Sequence, residues 1–233
     1  MRINEELCVG CGLCTKYCPM NAISICDRKA VIEREECVEC GVCFRIGVCP
    51  RKAIEREQLQ WPRSIRAVYS DPLNIHKETN MAGRGTSEMK TNDVTDRFLD
   101  GELGIALEAG RPGVGTRIRE IELLTKALAG KKIKLEPLNP FTKLVDAKTG
   151  EISPEILDEK VMSVVLEFSI PEDKLMEILS MLKELEPRLN TVVSVGLVIR
   201  ARDGSFRHIT RILDENHIYH RPNGKLNIGL GKR

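Results

Sequence analysis

Aromatic residues and long apolar runs are both scarce in this chain. Only 4% of its 233 residues are aromatic, and its formal net charge is +2. Nucleic-acid binding usually needs a strongly basic surface or aromatic rings that stack on bases, so we expect no nucleic-acid partner. No apolar run approaches the roughly 20 residues that cross a bilayer. The composition therefore predicts a soluble protein without a membrane span.

Cysteine, by contrast, is abundant, and eight of the nine cysteines form two similar runs. The first run reads CVGCGLCTKYCP from Cys8 to Pro19, and the second reads CVECGVCFRIGVCP from Cys37 to Pro50. A similar segment follows each run, MNAI in one case and RKAI in the other, which indicates an internal duplication. The ninth cysteine, Cys26, lies outside both runs. We expect it to be a small apolar residue on a strand and not a ligand.

Three kinds of site can use closely spaced cysteines. Disulfides need an oxidising compartment, and nine cysteines cannot all pair within one chain. Structural zinc usually takes two ligands from each of two separated knuckles, which three evenly spaced cysteines plus a Cys-Pro fit poorly. An iron–sulfur cluster fits best, because the spacing Cys-x2-Cys-x2-Cys-x3-Cys-Pro is a known cluster-binding signature. We therefore expect a reducing, cytoplasmic location.

On these motifs, residues 1–56 resemble a bacterial-type ferredoxin with two [4Fe-4S] clusters. In that family the fourth cysteine of each run ligates the other cluster. The resemblance implies that cluster one is held by Cys8, Cys11, Cys14 and Cys49. It likewise implies that cluster two is held by Cys37, Cys40, Cys43 and Cys18. The second run departs from the family pattern, because five residues instead of three separate its third cysteine from its fourth. We expect this longer loop to alter the surroundings of cluster one.

Beyond residue 56 the chain is not covered by this resemblance. We expect an extended linker or a ligand- or partner-binding loop over residues 57–101, with a short strand from Ile65 to Tyr69. Residues 81–93 within it are rich in glycine, hydroxyl and charged residues. They form either a solvated linker or a loop over a partner or a small anionic ligand, which Arg84, Thr86 and Lys90 would bind.

Residues 102–233 show the hydrophobic periodicity of an α+β domain. Strands are predicted near 103–109, 132–136, 161–170 and 191–201, and helices over 116–129 and from Pro171 to Pro187. This order predicts a ferredoxin-like (split βαβ) antiparallel sandwich, with an insertion at about 137–160. An Asn223-Gly224 turn predicts an extra C-terminal hairpin from strands 217–221 and 225–230. The face of the sheet without helices is mixed in polarity, which suits a homo-oligomer contact or a ligand platform.

One glycine-rich turn in this domain has two interpretations. Residues 110–117 join a strand to the start of a helix, where backbone amides and arginines bind anions in many proteins. The residues that would form this ligand site are Arg111, Gly113, Gly115, Thr116 and Arg117. In the second interpretation the turn binds no ligand and only changes the direction of the chain.

Taken together, these patterns predict an iron–sulfur electron-transfer protein that docks to a redox enzyme through its C-terminal domain. No paired acid, activated nucleophile or hydrolase motif indicates a stand-alone enzyme. The alternative is an oxidoreductase subunit or metabolite-binding protein with a site for a small anionic ligand in its C-terminal half. The clusters would supply electrons to this site. In a third hypothesis the clusters only stabilise the fold.

Overall fold

The computed structural model describes residues 1–76, 80, 89, 92–111 and 113–221. Residues 1–56, all of them described, form short strands that pair in two antiparallel sheets of two strands each. Their elements are β1 (Arg2–Ile3), β2 (Ile23–Cys26), β3 (Lys29–Ile32), the helix α1 (Val42–Arg45) and β4 (Ile54–Glu55). Because β1 pairs with β4, the beginning and the end of this N-terminal segment lie side by side.

A tight hairpin follows the first cysteine run. Strands β2 and β3 pair from Ile23 with Ile32 to Cys26 with Lys29. At the turn, Asp27 and Arg28 have φ angles of 46° and 57°, which is the left-handed conformation that a two-residue type I′ turn requires. Cys26 is thus on a strand, as predicted, and its side chain is exposed.

A helix, and not the predicted strand, follows at Ile65–Tyr69. This helix, α2 (Ser64–Val68), directs Ile65 and Tyr69 into the main hydrophobic core, where they are 3% and 4% exposed. The Tyr69 hydroxyl donates a hydrogen bond of 3.1 Å to the carbonyl oxygen of Pro140. The strand prediction was wrong because so short an apolar run fits one helical turn equally well. The segment after residue 56 therefore packs partly against the C-terminal domain.

The C-terminal part is a mixture of helices and antiparallel strands. Its elements are α3 (Asn92–Thr95), β5 (Glu102–Ala109), β6 (Thr116–Arg117), α4 (Ile118–Gly130), β7 (Lys160–Val161), β8 (Val164–Pro171), α5 (Leu175–Leu185), β9 (Val193–Ile199) and α6 (Arg207–Glu215). Strand β5 lies between β8 and β9 and is antiparallel to both. The short strands β6 and β7 pair separately.

The main core lies between one face of this sheet and the helices α4 and α5. On β5, Leu103, Ile105 and Leu107 are fully buried, and on β8 Leu166 and Phe168 are 1% exposed. The buried face predicted for β5 is therefore confirmed, but the predicted alternation of buried and exposed residues on β8 is wrong, because Val165 and Glu167 on its other face are buried as well. The apolar stripe of α4 is buried at Ile118, Ile121, Leu124 and Leu128.

Four predicted boundaries in this domain need correction. The second helix begins at Leu175 and not at Pro171, because Pro171 is the last residue of β8. Residues 132–136 form no regular strand, and only Leu135 makes an isolated bridge, to Phe168. The first helix begins at Ile118 and not at Thr116, because Thr116 and Arg117 pair with β7 instead. Residues 217–221 follow α6 without strand structure, and the second strand of the predicted hairpin lies outside the described residues.

The second face of the sheet is more covered than its sequence indicated. A Cβ atom added to Gly104 would come within 2.6 Å of the Met89 side chain and 3.1 Å of Phe98. On β8, Glu167 is 1% exposed, and one of its carboxylate oxygens accepts a hydrogen bond of 2.8 Å from the amide of Asn139. Met89, Phe98 and the loop after α4 thus cover part of this face. Among the described helices, none is long and apolar enough to cross a membrane.

Candidate metal centres

The eight run cysteines line two separate cavities in the N-terminal segment. The first cavity has about 350 Å³ of empty volume, and its lining includes Cys8, Cys11, Cys14 and Cys49. The second has about 340 Å³, and its lining includes Cys18, Cys37, Cys40 and Cys43. The structure therefore brings three cysteines of one run together with the fourth cysteine of the other run. Cys26 lines neither cavity.

Glycines with positive φ angles wrap the backbone around these cavities. Gly12 and Gly41 hold equivalent positions in the two runs, with φ angles of 72° and 69°. Gly10 has a φ of 67°, and a Cβ atom there would overlap the carbonyl group of Arg28. A side chain at Gly10 would thus push the first run away from the β2–β3 hairpin, so glycine is required here for close approach as well as conformation.

Backbone amides donate hydrogen bonds to three of the cysteine sulfurs. The amide of Ala22 lies 3.2 Å from Cys18 Sγ, and the amide of Ala53 lies 3.3 Å from Cys49 Sγ. These two contacts have the same spacing of four residues, as the internal duplication predicts. A third amide, that of Ala30, lies 3.3 Å from Cys8 Sγ. Such donors stabilise negative charge on sulfur and so favour thiolate ligands.

Burial makes free thiolates unfavourable in both cavities. Desolvation raises the pKa of Cys14 and Cys40, and it raises the pKa of Cys43 to about 11, with neighbouring cysteines adding to the effect. Desolvation also raises the pKa of Cys37, where the charge of Glu39 adds to the effect. A metal centre would supply the positive charge that these thiolates need, and its binding would release their protons. The donor chemistry of the cavities therefore fits a thiolate-bound metal group.

The arrangement favours a cluster over a single metal ion. All nine cysteines are free thiols. Four sulfurs lining one cavity suit a four-iron cluster, which takes one thiolate per iron and, when bound, accepts or donates single electrons.

The longer loop of the second run begins within α1. Its last helical residue, Arg45, donates a hydrogen bond of 2.6 Å to the carbonyl oxygen of Cys40 and forms an ion pair of 2.7 Å with Asp71. The sequence predicts an effect of this loop on cluster one. The structure adds a contact with the backbone of Cys40 in the lining of the second cavity, which no motif indicated.

Two further arginines near the second cavity could not be anticipated from sequence. Arg66 on α2 is 2% exposed and donates hydrogen bonds to the carbonyl oxygens of Arg34, Glu35 and Cys37, at 2.9, 3.1 and 3.0 Å. Arg63 donates a hydrogen bond of 2.7 Å to the buried carboxylate of Glu39. Their only sequence signal is the pair of arginines three residues apart, which is equally typical of a solvated helix.

The arginines of the predicted anion site have partners within the chain. Arg111 forms an ion pair of 3.1 Å with Glu108, and Arg117 lies 3.4 Å from Glu36. The first two backbone amides of α4 donate to the carbonyl oxygens of Glu159 and Leu157. Gly113, Gly115 and Thr116 lie in the same turn, and Thr116 is buried. Anion binding here stays a prediction, and Arg84, Thr86 and Lys90 lie outside the described residues.

Comparison with known proteins identifies part of this site. Residues 1–24 match the family model of the 4Fe-4S binding domain. The first cysteine run is therefore similar to a 4Fe-4S binding domain, and the cysteine-rich N-terminus fits a ferredoxin segment, as its resemblance predicts. No curated protein and no solved structure matches the chain. The match contains the first cysteine run and ends before the second.

Proposed function

We propose that this protein is an electron carrier, or an electron-delivering subunit, with two [4Fe-4S] clusters. The observation that carries the proposal is the sorting of eight cysteines into two sets of four around two cavities. Each set completes the thiolate ligands of one cubic cluster. Cluster one would be bound by Cys8, Cys11, Cys14 and Cys49, and cluster two by the other four. Nine free cysteines suit a reducing compartment such as the cytoplasm.

Electron transfer is the chemistry best supported, because each cluster has a full set of ligands. A cluster with four thiolates has no open iron at which a substrate can bind. The residues of this chain then have three tasks: they hold the clusters, donate hydrogen bonds to the sulfurs, and control which partners reach them. A stand-alone enzyme would need a further reactive group, and no described cavity places one beside the cysteines.

The C-terminal domain, residues 102–233, is proposed to be a split βαβ sandwich that docks the clusters to a redox enzyme. The sheet order β8-β5-β9, extended by the Leu135–Phe168 bridge beyond β8, supports this topology. Two helices cover one face, as that fold requires. Part of the other face stays accessible at Ser194 and Gly196, and it is the surface we propose for docking or for self-association.

Spectroscopy and metal analysis of the full chain, purified without oxygen, test this proposal. We expect about eight irons per chain and a cubane electron paramagnetic resonance signal on reduction that disappears on reoxidation. Two or fewer irons with zinc in their place would contradict it. Clusters that no physiological donor reduces would instead indicate a structural role.

A further inference from the structure

The duplicated cysteine runs permit a direct comparison of the surroundings of the two cavities. Val9 and Val38 hold equivalent positions, each directly after the first cysteine of its run. Val9 is 58% exposed, whereas Val38 is 1% exposed. The second cysteines of the two runs differ in the same way, since Cys11 is exposed and Cys40 is buried. The start of the first run is therefore exposed to solvent, whereas the equivalent part of the second run is buried.

A residue from outside the duplication packs over part of the second cavity. Val38 and Cys40 pack with Met20 and Ala22 in a small apolar cluster, against which Met162 of the C-terminal part also packs. The backbone amide of Met162 donates a hydrogen bond of 2.8 Å to the Ser70 hydroxyl.

The glycine-rich turn that contains Gly113 and Gly115 reaches the same apolar cluster. A Cβ atom added to Gly115 would come within 3.0 Å of Met20 Sδ. One added to Gly113 would lie 3.9 Å from the carbonyl oxygen of Pro19. The compact turn therefore allows the C-terminal part to pack closely against the cluster-two end.

Charged groups complete this cover. Arg66 bonds to the carbonyl oxygen of Cys37, and Arg45 bonds to that of Cys40. Lys160 also forms an ion pair with Glu36, beside Cys37. These contacts fix the C-terminal part and its preceding helix over cluster two, so an outside redox protein cannot approach this cluster closely from that side.

The first cavity has no such cover at its cysteine loop. Val9 and Leu13 line this cavity and are 58% and 40% exposed, with Cys11 between them. Ile25, 41% exposed, lies beside them, because its Cγ1 atom is 3.9 Å from the Cβ position of Gly12. A cluster held here would have its Cys11 ligand at the surface within a small apolar rim.

We propose that Val9, Cys11 and Leu13 form the port through which all electrons enter and leave this protein. The inference rests on the proposed electron-transfer function and assigns the port to cluster one. The occupant of the port is a second redox protein whose own cofactor reaches its surface, since electron transfer falls steeply with distance. Cluster two exchanges electrons with the outside only by way of cluster one.

This assignment is tested by substitutions that change the charge at the port. The measured quantity is the rate at which small charged oxidants reoxidise the protein. The full-length protein is reduced, and its reoxidation is followed in about 0.1 M salt by stopped-flow absorbance. The oxidants are tris(phenanthroline)cobalt(III), a cation, and the anionic iron(III)–EDTA complex. In each event one reduced cluster loses one electron, and one cobalt(III) or iron(III) is reduced to the divalent state.

Val9→Glu and Val9→Lys should change these rates in opposite directions. With the cobalt cation we expect Val9→Glu to react about tenfold faster than Val9→Lys, because a charge within one Debye length of the transfer site attracts or repels the oxidant. With the iron–EDTA anion the order should reverse. Val31→Glu and Val31→Lys are the matched controls, since Val31 is exposed and lies outside the lining of the first cavity. These should differ by about twofold or less.

The possible results separate this inference from the proposed function. If all four variants contain about eight irons and only the Val9 pair responds to charge, the port is supported. Equal responses at Val9 and Val31 would overturn it, although the electron-transfer function would stand. A dimer that forms through Val9 in sedimentation experiments would also overturn it, because a second copy would close the port. Absence of reducible clusters would contradict the proposed function itself.

Discussion

Arg66 and Glu159 form an ion pair that joins the cysteine-rich segment to the C-terminal domain. The Arg66 side chain is 2% exposed, and that of Glu159 is 13% exposed. The same guanidinium bonds to three backbone carbonyl groups just before and at Cys37. One buried cation thus connects the lining of the second cavity, the helix α2 and the loop before β7.

Arg66→Met should loosen this junction. Removing one partner of a buried ion pair typically costs about 3–5 kcal/mol, because the other groups stay buried without compensation. Hydrogen exchange measured by mass spectrometry on the holo-protein should therefore accelerate about 100-fold or more in residues 62–70 and 157–162.

Arg211→Met is the matched control for this substitution. Arg211 pairs with Glu215 on the surface of α6, and its side chain is 80% exposed. Exposed ion pairs contribute little to stability, so exchange should stay as in the unmodified protein. If Arg66→Met also left exchange unchanged, Arg66 would not hold the two parts together.

Alanine substitutions at Gly10 and Gly12 should have unequal effects. Both glycines have positive φ angles, so an alanine costs about 1–2 kcal/mol of backbone strain at either position. At Gly12 the nearest atom to a new Cβ is 3.9 Å away, whereas at Gly10 the new Cβ would overlap the Arg28 carbonyl group. Gly12→Ala should retain both clusters with a modest fall in melting temperature. Gly10→Ala should lose cluster one, which iron analysis will detect. Equal iron content in the two variants would argue against the tight approach of Arg28.

The ion pair between Arg34 and Glu57 predicts a defined dependence on pH. Its hydrogen bond holds the pKa of Glu57 below the ordinary value of 4.5. A lowered carboxyl pKa means that the pair stabilises the fold above the unfolded pKa and loses this effect as pH falls through the folded pKa. Arg34→Gln should therefore lower the melting temperature equally at pH 7.5 and 5.5, and less below pH 4.5. The melting temperature of Arg34→Lys should lie between those of the unmodified protein and Arg34→Gln. A penalty that grows as the solution becomes more acidic would contradict this assignment.

The cysteines could be placed from sequence because their spacing is tied to one chemistry. The repeated Cys-x2-Cys-x2-Cys spacing indicates eight iron–sulfur donors before any fold is known, whereas their crossed division into two sets is implied only by the resemblance to bacterial-type ferredoxins. Their different exposure could not be predicted, since Val9 and Val38 have the same local sequence context. It depends on Met162, far along the chain, which packs against one repeat and not the other.

The regular strands and helices were predictable wherever the periodicity was long. Strands β5 and β8 each have apolar residues at every second position along most of their length, and α4 and α5 have apolar stripes at helical spacing. The helix α2 was mistaken for a strand because its five residues contain too little periodicity. Residues 132–136 were predicted as a full strand, but only Leu135 pairs with β8.

The crossed assignment of ligands is the central claim, and the iron content of two double variants tests it most directly. Cys8→Ala with Cys49→Ala removes two ligands of cluster one only, so about four irons should remain per chain. Cys43→Ala with Cys49→Ala removes one ligand from each cluster, so the protein should lose most of its iron. If each run instead held its own cluster, the result would reverse. About four irons in the Cys43/Cys49 variant and almost none in the Cys8/Cys49 variant would contradict the account.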